Sequence, residues 1–342
     1  MTDTTDDPMN VDLVLEGGGV KGIALVGAYK VLEQHGYHVR RVAGSSAGAI
    51  VGTLIASGMT ADVMVDVMTK LDYTKFRDEN FLDHFGLVGK GASILFEKGI
   101  YQGKYFEHWL DEQIGGRTFG SFRDDDTDPA SATFDPKRAY RLVVMASDIS
   151  NHRLARLPWD YGTHYPTTAL PNGGGDDRKV AEAVRCSMSI PFFYEPYRLD
   201  YDWVHDGKTE PRQAWMVDGG MLSNFPVDAF DRTDGRRPRW PTFGIKLSAQ
   251  PESDSAPHEI TGTLDFAASL ISTMTGFFDR VHIEDPAVVD RTIFVDTGTI
   301  SATDFGLSAD DQKMLFDHGV GAAEKFLASW DFGAFIDKHV TS

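Results

Sequence analysis

Two short strand-like runs lie near the start of the chain, and each leads through a glycine-rich turn into apolar positions at helical spacing. The first run, Val11–Leu15, is followed by Gly17-Gly18-Gly19, and the second, Val39–Ala43, by Gly44-Ser45-Ser46-Ala47-Gly48. Runs of this length indicate buried strands, and the apolar stripes that follow indicate amphipathic helices. The stripes comprise Val20, Ala24, Gly27 and Val31 in the first unit and Ile50, Val51, Leu54 and Ile55 in the second. Two successive strand–turn–helix units predict a parallel or mixed sheet covered by helices on both faces.

The rest of the chain continues this alternation. Further strands are predicted at Tyr140–Ala146, Trp215–Val217, Phe243–Leu247 and Thr292–Val295, and further helices at Gly103–Ile114, Lys179–Cys186, Leu264–Phe278 and around Leu315, Ala322 and Phe326. The pattern predicts an α/β fold, a three-layer α/β/α sandwich with a central, mostly parallel sheet. Residues 1–10 are polar and predict a flexible tail, and residues 11–342, in which no interdomain linker is recognisable, predict a single domain.

Composition narrows the class of protein without naming a reaction. Of the 342 residues, 42% are hydrophobic, which suffices for one large core, and the net charge of -18 disfavours nucleic acid and strongly anionic lipid surfaces as partners. Cys186 is the only cysteine, which excludes a disulfide within the chain and a cysteine-rich zinc site. The acidic N-terminus lacks the features of a signal peptide, and no apolar run reaches the ~20 residues that span a bilayer. These features predict a cytoplasmic protein.

Ser46 is the candidate nucleophile. It is the central residue of a G-x-S-x-G pattern that lies between a predicted strand and a predicted helix. In that context the turn is a nucleophile elbow, whose sharp bend requires small residues, here Gly44 and Gly48, on either side of the serine. In a chain rich in glycine, serine and alanine the pattern alone is equally that of an ordinary turn, so its meaning depends on the other motifs.

The glycine-rich turn after the first strand, Gly17–Gly22, is the candidate oxyanion hole. Backbone N–H groups point outward at a helix N-terminus, where the helix dipole adds positive partial charge, and Lys21 adds a full charge. The turn also matches the dinucleotide-binding pattern G-x-G-x-x-G. That alternative lacks an acidic residue at the end of the second strand to hold a ribose, but Arg40 or Arg41 could meet a 2′-phosphate, so it stays open.

Asp218-Gly219-Gly220 follows the predicted strand at Trp215–Val217 and is the candidate base turn. A carboxylate at a strand end is placed to take a proton, and the two glycines leave room for a second group beside it. Because an aspartate near its reference pKa of about 3.9 is a weak base, the site must raise that pKa by desolvation. Asn224, just downstream, has a side chain able to brace the turn. By itself, Asp-Gly-Gly is also a common turn.

Together these motifs resemble the patatin-like phospholipase family. Its signature is a glycine-rich loop near the N-terminus, G-x-S-x-G on the next turn and a distant D-G-G, and all three occur here in that order. Two further segments are similar to segments of the family: Ser189-Ile190-Pro191 with Phe193 and Pro196, and Gly220 through Asn224 to Pro226. The resemblance extends from Val11 to Pro226, with Glu16 at a position where many members have aspartate.

The resemblance implies a lipid acyl hydrolase, of the phospholipase A, lysophospholipase or carboxylesterase type, that needs neither cofactor nor metal. Ser46 would attack the ester carbonyl and Asp218 would take the proton directly, through an acyl-Ser46 intermediate. The implied supporting residues are an oxyanion hole at Gly17, Gly18, Gly19, Lys21 and Gly22, an elbow formed with Gly44 and Gly48, and a base turn formed with Gly219, Gly220 and Asn224. The implied partners are a lipid or other acyl-ester substrate and, transiently, a membrane surface. No oligomeric state is predicted.

Three alternatives stay open. An ordinary α/β-hydrolase would add a histidine to the serine and aspartate, and the histidines that follow Asp218 in no recognisable catalytic setting are His258, His282, His318 and His339. A nucleotide-binding protein would use the Gly17–Gly22 loop, and a non-catalytic regulatory member of the same fold would keep the structure without turnover. The histidines and acidic residues show none of the spacings of metal-binding motifs.

The segment Phe76–Phe106 mixes large apolar residues with glycines. A hydrolase of water-insoluble esters needs an apolar acyl trough and often a movable lid. The segment predicts either such a cover or plain core packing around a loop-rich insertion.

Overall fold

The computed structural model describes residues 9–70, 103–124, 139–170, 174–234, 236–247, 285–302 and 306–340, with the single residues 260, 262, 266, 269, 270, 273, 274 and 304. Its strands are β1 (Asn10–Leu15), β2 (His38–Ser45), β3 (Leu142–Asp148), β4 (Arg153–Leu157), β5 (Tyr197–His205), β6 (Lys208–Asp218), β7 (Thr242–Lys246) and β8 (Thr292–Phe294). Its α-helices are α1 (Gly22–Gln34), α2 (Ala47–Ala56), α3 (Ala61–Thr69), α4 (Lys104–Gln113), α5 (Tyr161–His164), α6 (Val180–Ser187), α7 (Gly220–Ser223), α8 (Pro286–Asp290), α9 (Ala309–Leu327) and α10 (Phe332–His339).

Within the described residues, eight strands form one mixed sheet in the order β5-β6-β3-β2-β1-β7-β8, and β4 pairs with β3 as a branch. The strands β3, β2, β1, β7 and β8 are parallel, whereas β4, β5 and β6 pair antiparallel. The antiparallel part follows from short connections, such as the Asp206-Gly207 turn between β5 and β6, which cannot return a strand in parallel. The predicted α/β fold is confirmed, with a sheet that is parallel at its centre.

The strands β2 and β6 meet end to end on one edge of β3. Met145 and Ala146 of β3 both pair with β4 on one side; on the other side Met145 pairs with Ser45 and Ala146 pairs with Asp218. Since a residue has one partner on each side, β2 and β6 share the edge opposite β4. Both strands run towards the junction and end there, at Ser45 and Asp218. The carboxyl ends of two strands that are distant in sequence therefore face each other.

The helix α1, which begins at the end of the glycine-rich turn, is held by a close contact with α9. A Cβ atom on Gly27 would overlap the carbonyl of Phe316, and a Cβ atom on Gly319 would overlap the carbonyl of Ala24. The two glycines thus let the helix backbones touch. Leu315 of α9 is fully buried in the same core. Through this contact α9 positions α1 and the turn that precedes it.

Two sequence predictions fall mainly outside the described residues. Of Phe76–Phe106, only the start of α4 is described. Of the helix predicted at Leu264–Phe278, the four apolar residues expected on one face are not among the described residues. The described Phe266, Leu270 and Met274 are exposed by 51%, 48% and 41%. Among the described residues, no helix combines the length and apolar character needed to cross a bilayer.

Candidate active site

Ser46 lies on a sharp turn between β2 and α2. Its φ of 49° and ψ of -119° form a backbone conformation that residues other than glycine rarely adopt. The residue is only 6% exposed. A Cβ atom on Gly44 would overlap the backbone of Gly48, and a Cβ atom on Gly48 would overlap the carbonyl of Leu15 in β1. A strained serine on a strand-to-helix turn with two obligatory glycines has the geometry of a nucleophile elbow.

Asp218 ends β6 beside Ser46, and its carboxylate is buried. Burial raises the pKa of this carboxyl to about 6, and the N–H of Gly220, 2.7 Å from Oδ1, together with the Ser46 side chain, opposes part of the rise. Oδ2 is buried and has no donor in full hydrogen-bond geometry among the described residues, whereas the Ser46 side chain still interacts with the carboxylate and opposes the rise in its pKa. Such pairs commonly tighten when substrate binds. At neutral pH the carboxylate is ionised and is a stronger base than an exposed aspartate.

The base turn is tied both to the sheet and to the glycine-rich turn. A Cβ atom on Gly219 would overlap the carbonyl of Met145, so the turn packs directly against β3. The Asn224 Nδ2 group donates to Gly17 O and to Glu16 Oε1, both at 3.3 Å, and Asn224 O accepts from the N–H of Gly17 at 3.0 Å. Asn224 therefore links the base turn to the glycine-rich turn, a contact that the sequence did not predict.

Most backbone amides of the Gly17–Gly22 turn have acceptors inside the protein. The N–H groups donate from Gly17 to Asn224 O, from Val20 to Ala302 O, from Lys21 to Gly18 O and from Gly22 to Gly19 O. This leaves the N–H groups of Gly18 and Gly19 without an acceptor in the part of the chain that the structure describes. Two unpaired amides at the start of a helix can bind a developing oxyanion.

The glycines of this turn are required by close approach. A Cβ atom on Gly17 would overlap Oδ1 of Asn224 and would lie 3.2 Å from Cβ of Ser46, so the turn runs directly beside the candidate nucleophile. Gly19 has a φ of 56°, and the carbonyl of Ala302 occupies the place of a Cβ atom. A Cβ atom on Gly22 would lie 3.4 Å from the Cβ of Ala47 at the start of α2. The turn therefore lies between the nucleophile and residues of the C-terminal third.

A buried ion pair fixes the start of the turn. Glu16 accepts hydrogen bonds from the Lys246 ammonium group and from the N–H of Leu247, and both charged side chains are buried. Lys21 donates to Thr297 Oγ1 at 3.5 Å. Burial lowers the pKa of Lys21, the charge of Glu16 opposes that change, and the charge of Lys246 adds to it. Lys21 and Glu16 thus belong to one buried network that joins the turn to the end of β7.

A segment outside the predicted site holds both Ser46 and Asp218. The N–H of Ser46 donates to the hydroxyl of Ser187, the last residue of α6, at 2.9 Å. The N–H of Asp218 donates to Ser189 O at 2.9 Å, and the N–H of Gly219 donates to Ser187 O at 3.1 Å. The sequence signal for Ser187 was its place two residues before Ser189-Ile190-Pro191, which carries no chemistry by itself.

No described histidine takes part in the site. His318 Nδ1 lies 2.7 Å from Asp296 O, and His339 Nε2 lies 2.6 Å from the Asp290 carboxylate. The groups that shift the pKa of Asp218 include no histidine. His258 and His282 lie outside the described residues. The described chain also contains no group of three or more side chains placed to ligate a metal ion.

The model of the patatin-like phospholipase family matches residues 13–231 of this chain. The uncharacterized protein YqhO of Bacillus subtilis (strain 168) is 34% identical over 330 residues, which cover 95% of this chain and 100% of that protein. The uncharacterized protein R571 of Acanthamoeba polyphaga mimivirus is 23% identical over 325 residues, which cover 92% of each chain. The range matched by the family model, residues 13–231, includes Ser46, Asp218 and the glycine-rich turn, whereas Lys246 and Ala302 lie beyond it.

Two solved structures share the fold. VipD from Legionella pneumophila superimposes with a TM-score of 0.50 at 16% identity, over 95% of this chain and 68% of that chain. ExoU, in its heterodimeric complex with SpcU from the type III secretion system of Pseudomonas aeruginosa, superimposes with a TM-score of 0.50 at 18% identity, over 94% of this chain and 52% of that chain. At these identities the similarity shows the fold alone. The family match, which covers more than half of the chain, shows that this chain belongs to the patatin-like phospholipase family.

Proposed function

We propose that this protein is a serine acyl hydrolase that cleaves the carboxylic ester of a lipid, with Ser46 as nucleophile and Asp218 as its base. The observation that carries the proposal is the meeting of a strained, buried serine and a buried aspartate of raised pKa where β2 and β6 end. Membership of the patatin-like phospholipase family supports a lipid ester as substrate. The proposal requires neither a cofactor nor a metal.

In the acylation step, Ser46 Oγ attacks the carbonyl carbon of the ester and its proton passes to the Asp218 carboxylate. Asp218 then donates that proton to the departing alkoxide as the C–O bond breaks, which leaves an acyl group on Ser46. A pKa of about 6 suits both proton transfers. At neutral pH Asp218 is ionised and can accept the proton of Ser46, and once protonated it is a better proton donor to the alkoxide than water is. In deacylation, a water molecule attacks the acyl carbon while Asp218 accepts its proton. The bond between the acyl carbon and Ser46 Oγ then breaks, Asp218 returns the proton to Ser46 Oγ, and the carboxylic acid is released.

The negative charge that develops on the ester oxygen needs donors that are already in position. The N–H groups of Gly18 and Gly19 are the proposed donors, because the other amides of the turn are engaged within the protein. Gly17, Lys21 and Gly22 then support the oxyanion hole: Gly17 by its contacts with Ser46 and Asn224, Gly22 by packing on α2, and Lys21 through its bond to Thr297. Gly44 and Gly48 permit the elbow, and Gly219, Gly220 and Asn224 hold the base.

The net charge of -18 favours an ester of a neutral or zwitterionic lipid over an anionic bilayer. Transient contact with a membrane surface and a cytoplasmic location belong to the same proposal. Nucleotide binding by the glycine-rich turn is the weaker candidate. The amide of Gly17 is already bound to Asn224 O, and Ala302 packs against Gly19 where a pyrophosphate would have to approach.

The test is hydrolysis of p-nitrophenyl esters of increasing acyl length by the parent protein and by Ser46→Ala and Asp218→Asn. A matched control is Ser147→Ala, since Ser147 is a buried serine of β3 whose hydroxyl makes no hydrogen bond to any of the described residues. We expect the parent and the control to turn over, and the two site variants to lose at least about 10³-fold in kcat while staying folded. Full activity in Ser46→Ala would refute the assignment. A folded parent without activity on any ester would favour a non-catalytic member of the family.

A further inference from the structure

We propose that Ser187 is a positioning residue that sets the separation of the nucleophile and the base. Its hydroxyl fixes the strained backbone of Ser46, and its carbonyl fixes the turn that carries Asp218. The inference rests on the proposed function of Ser46 and Asp218. It concerns a residue with no role in the reaction steps themselves.

The first tie is the hydrogen bond from the Ser46 N–H to Ser187 Oγ at 2.9 Å. Ser187 is fully buried, so water cannot replace its hydroxyl as an acceptor without rearrangement. A buried N–H that loses its acceptor is left with the full cost of desolvation. The φ of 49° at Ser46 is itself unfavourable and persists only while its surroundings fix it. Loss of the Ser187 hydroxyl therefore removes a contact that holds Ser46 in its strained backbone conformation.

The second tie is on the side of the base. The N–H of Gly219 donates to Ser187 O at 3.1 Å, and the N–H of Asp218 donates to Ser189 O at 2.9 Å. The strands β2 and β6 pair with β3 but meet end to end, so no ladder hydrogen bonds join them to each other. The Ser187–Ser189 segment bridges that junction. It holds the elbow with one atom of Ser187 and the base turn with another.

The bridging segment is itself rigid. Arg185, a buried residue of α6, donates to Ser189 Oγ and, at 3.0 Å, to Glu195 O. Ser189 Oγ in turn donates to Arg185 O at 2.8 Å. These bonds fix the turn that leaves the end of α6. Ser187 therefore ties Ser46 and Asp218 to a fixed frame, and errors of about 1 Å in such placement can reduce turnover about 10²-fold.

The test compares Ser187→Ala, Ser187→Cys and the control Ser147→Ala on a soluble p-nitrophenyl ester. We expect Ser187→Ala to lower kcat about 10- to 100-fold with KM within twofold of the parent, because alignment changes and the binding surface does not. The pH midpoint of activity should stay where it is, since the burial that sets the pKa of Asp218 is unchanged. Ser187→Cys keeps a hydrogen-bonding group at this position, although sulfur is larger and a weaker acceptor than oxygen. Its kcat should fall between those of the parent and Ser187→Ala, and it remains informative where the alanine variant does not fold.

A purely structural role for Ser187 would lower the melting temperature while the folded enzyme kept its kcat. That result in Ser187→Ala, or an equal loss of kcat in Ser147→Ala, would overturn the inference. Failure of the proposed function is a different result: the parent itself would neither hydrolyse esters nor react with a fluorophosphonate at Ser46. A parent that reacts at Ser46, with a Ser187→Ala variant that reacts at the same rate, would overturn the role of Ser187 alone.

Discussion

Ser45 and Asp218 pair with neighbouring residues of β3 on the same edge of that strand. The turn that carries Ser46 and the turn that carries Asp218 are thereby brought together by the sheet and not by flexible loops. One short stretch of β3, Met145-Ala146, sets the register of both. The relationship explains how two motifs far apart in the sequence can supply one reaction centre.

The pKa of Asp218 predicts the pH dependence of the reaction. An aspartate acts as a base only when ionised, so kcat/KM should rise tenfold per pH unit up to about 6 and be level above it. Initial rates on p-nitrophenyl acetate from pH 4 to 9 measure this profile. A midpoint near 4 would indicate an unperturbed carboxylate in the role of base.

The same burial predicts that the base reduces stability. The folded-state pKa of about 6 lies above the reference value of 3.8, so the folded protein binds the proton more tightly than the unfolded chain does. The cost of ionising Asp218 is absent below pH 3.8, grows as the pH rises towards 6, and amounts to about 3 kcal/mol above it.

Asp218→Asn should therefore increase the free energy of unfolding at pH 8 by up to about 3 kcal/mol, and the gain should shrink to about 0.5 kcal/mol near pH 4. Urea unfolding of both proteins across this range measures the difference. A variant that is equally stable at pH 8, or less stable, would contradict the buried, ionised state of Asp218.

Gly17→Ala should reduce activity in a protein that still folds. The added Cβ atom would displace the side chain of Asn224 and press on Ser46, and so disturb both sides of the site. We expect a loss of about 10²-fold in kcat/KM. Gly162→Ala in α5 is the matched control, because a Cβ atom there meets no neighbour within 4 Å. Equal activity in the two variants would show that the Gly17 contact is unimportant.

The contact between α1 and α9 predicts opposite effects for two glycines of one helix. Gly319→Ala would push a Cβ atom into the carbonyl of Ala24 and should lower the free energy of unfolding by about 1–3 kcal/mol. Gly321→Ala meets nothing within 4 Å and should raise it by about 0.5–1 kcal/mol through helix propensity. Thermal or urea unfolding distinguishes them. A stability loss at Gly321 as large as at Gly319 would refute the close helix contact.

The turns that carry Ser46 and Asp218 could be located from sequence because each depends on local chemistry: a strand, small residues and a sharp bend. Five of the six predicted strands, observed as β1, β2, β3, β7 and β8, occur within a few residues of their predicted positions, whereas β6 begins at Lys208, seven residues before the predicted Trp215. The strand β5 was missed although its residues Tyr197, Leu199, Tyr201 and Trp203 alternate with polar ones, which is the pattern of a half-exposed strand.

The residues that support the site could not be located in this way. Ser187, Lys246 and Ala302 each contact the site through atoms that any serine, lysine or alanine possesses, and their roles arise only when the chain folds. Ala302 acts through its backbone carbonyl, so its side chain carries no signal at all. Asn224 was expected to brace the base turn, and its bonds to Gly17 appear only with the fold.

Covalent labelling tests whether Ser46 is the nucleophile and whether Asp218 activates it. The most direct measurement is the reaction of the folded protein with a fluorophosphonate, followed by mass spectrometry of the labelled peptide, at pH 5 and pH 8. We expect a single adduct on Ser46, no adduct in Ser46→Ala, and a rate that is lower at pH 5 than at pH 8 in the parent and strongly reduced in Asp218→Asn. An adduct on another residue, or labelling of Ser46 that is unaffected by Asp218→Asn, would contradict this expectation.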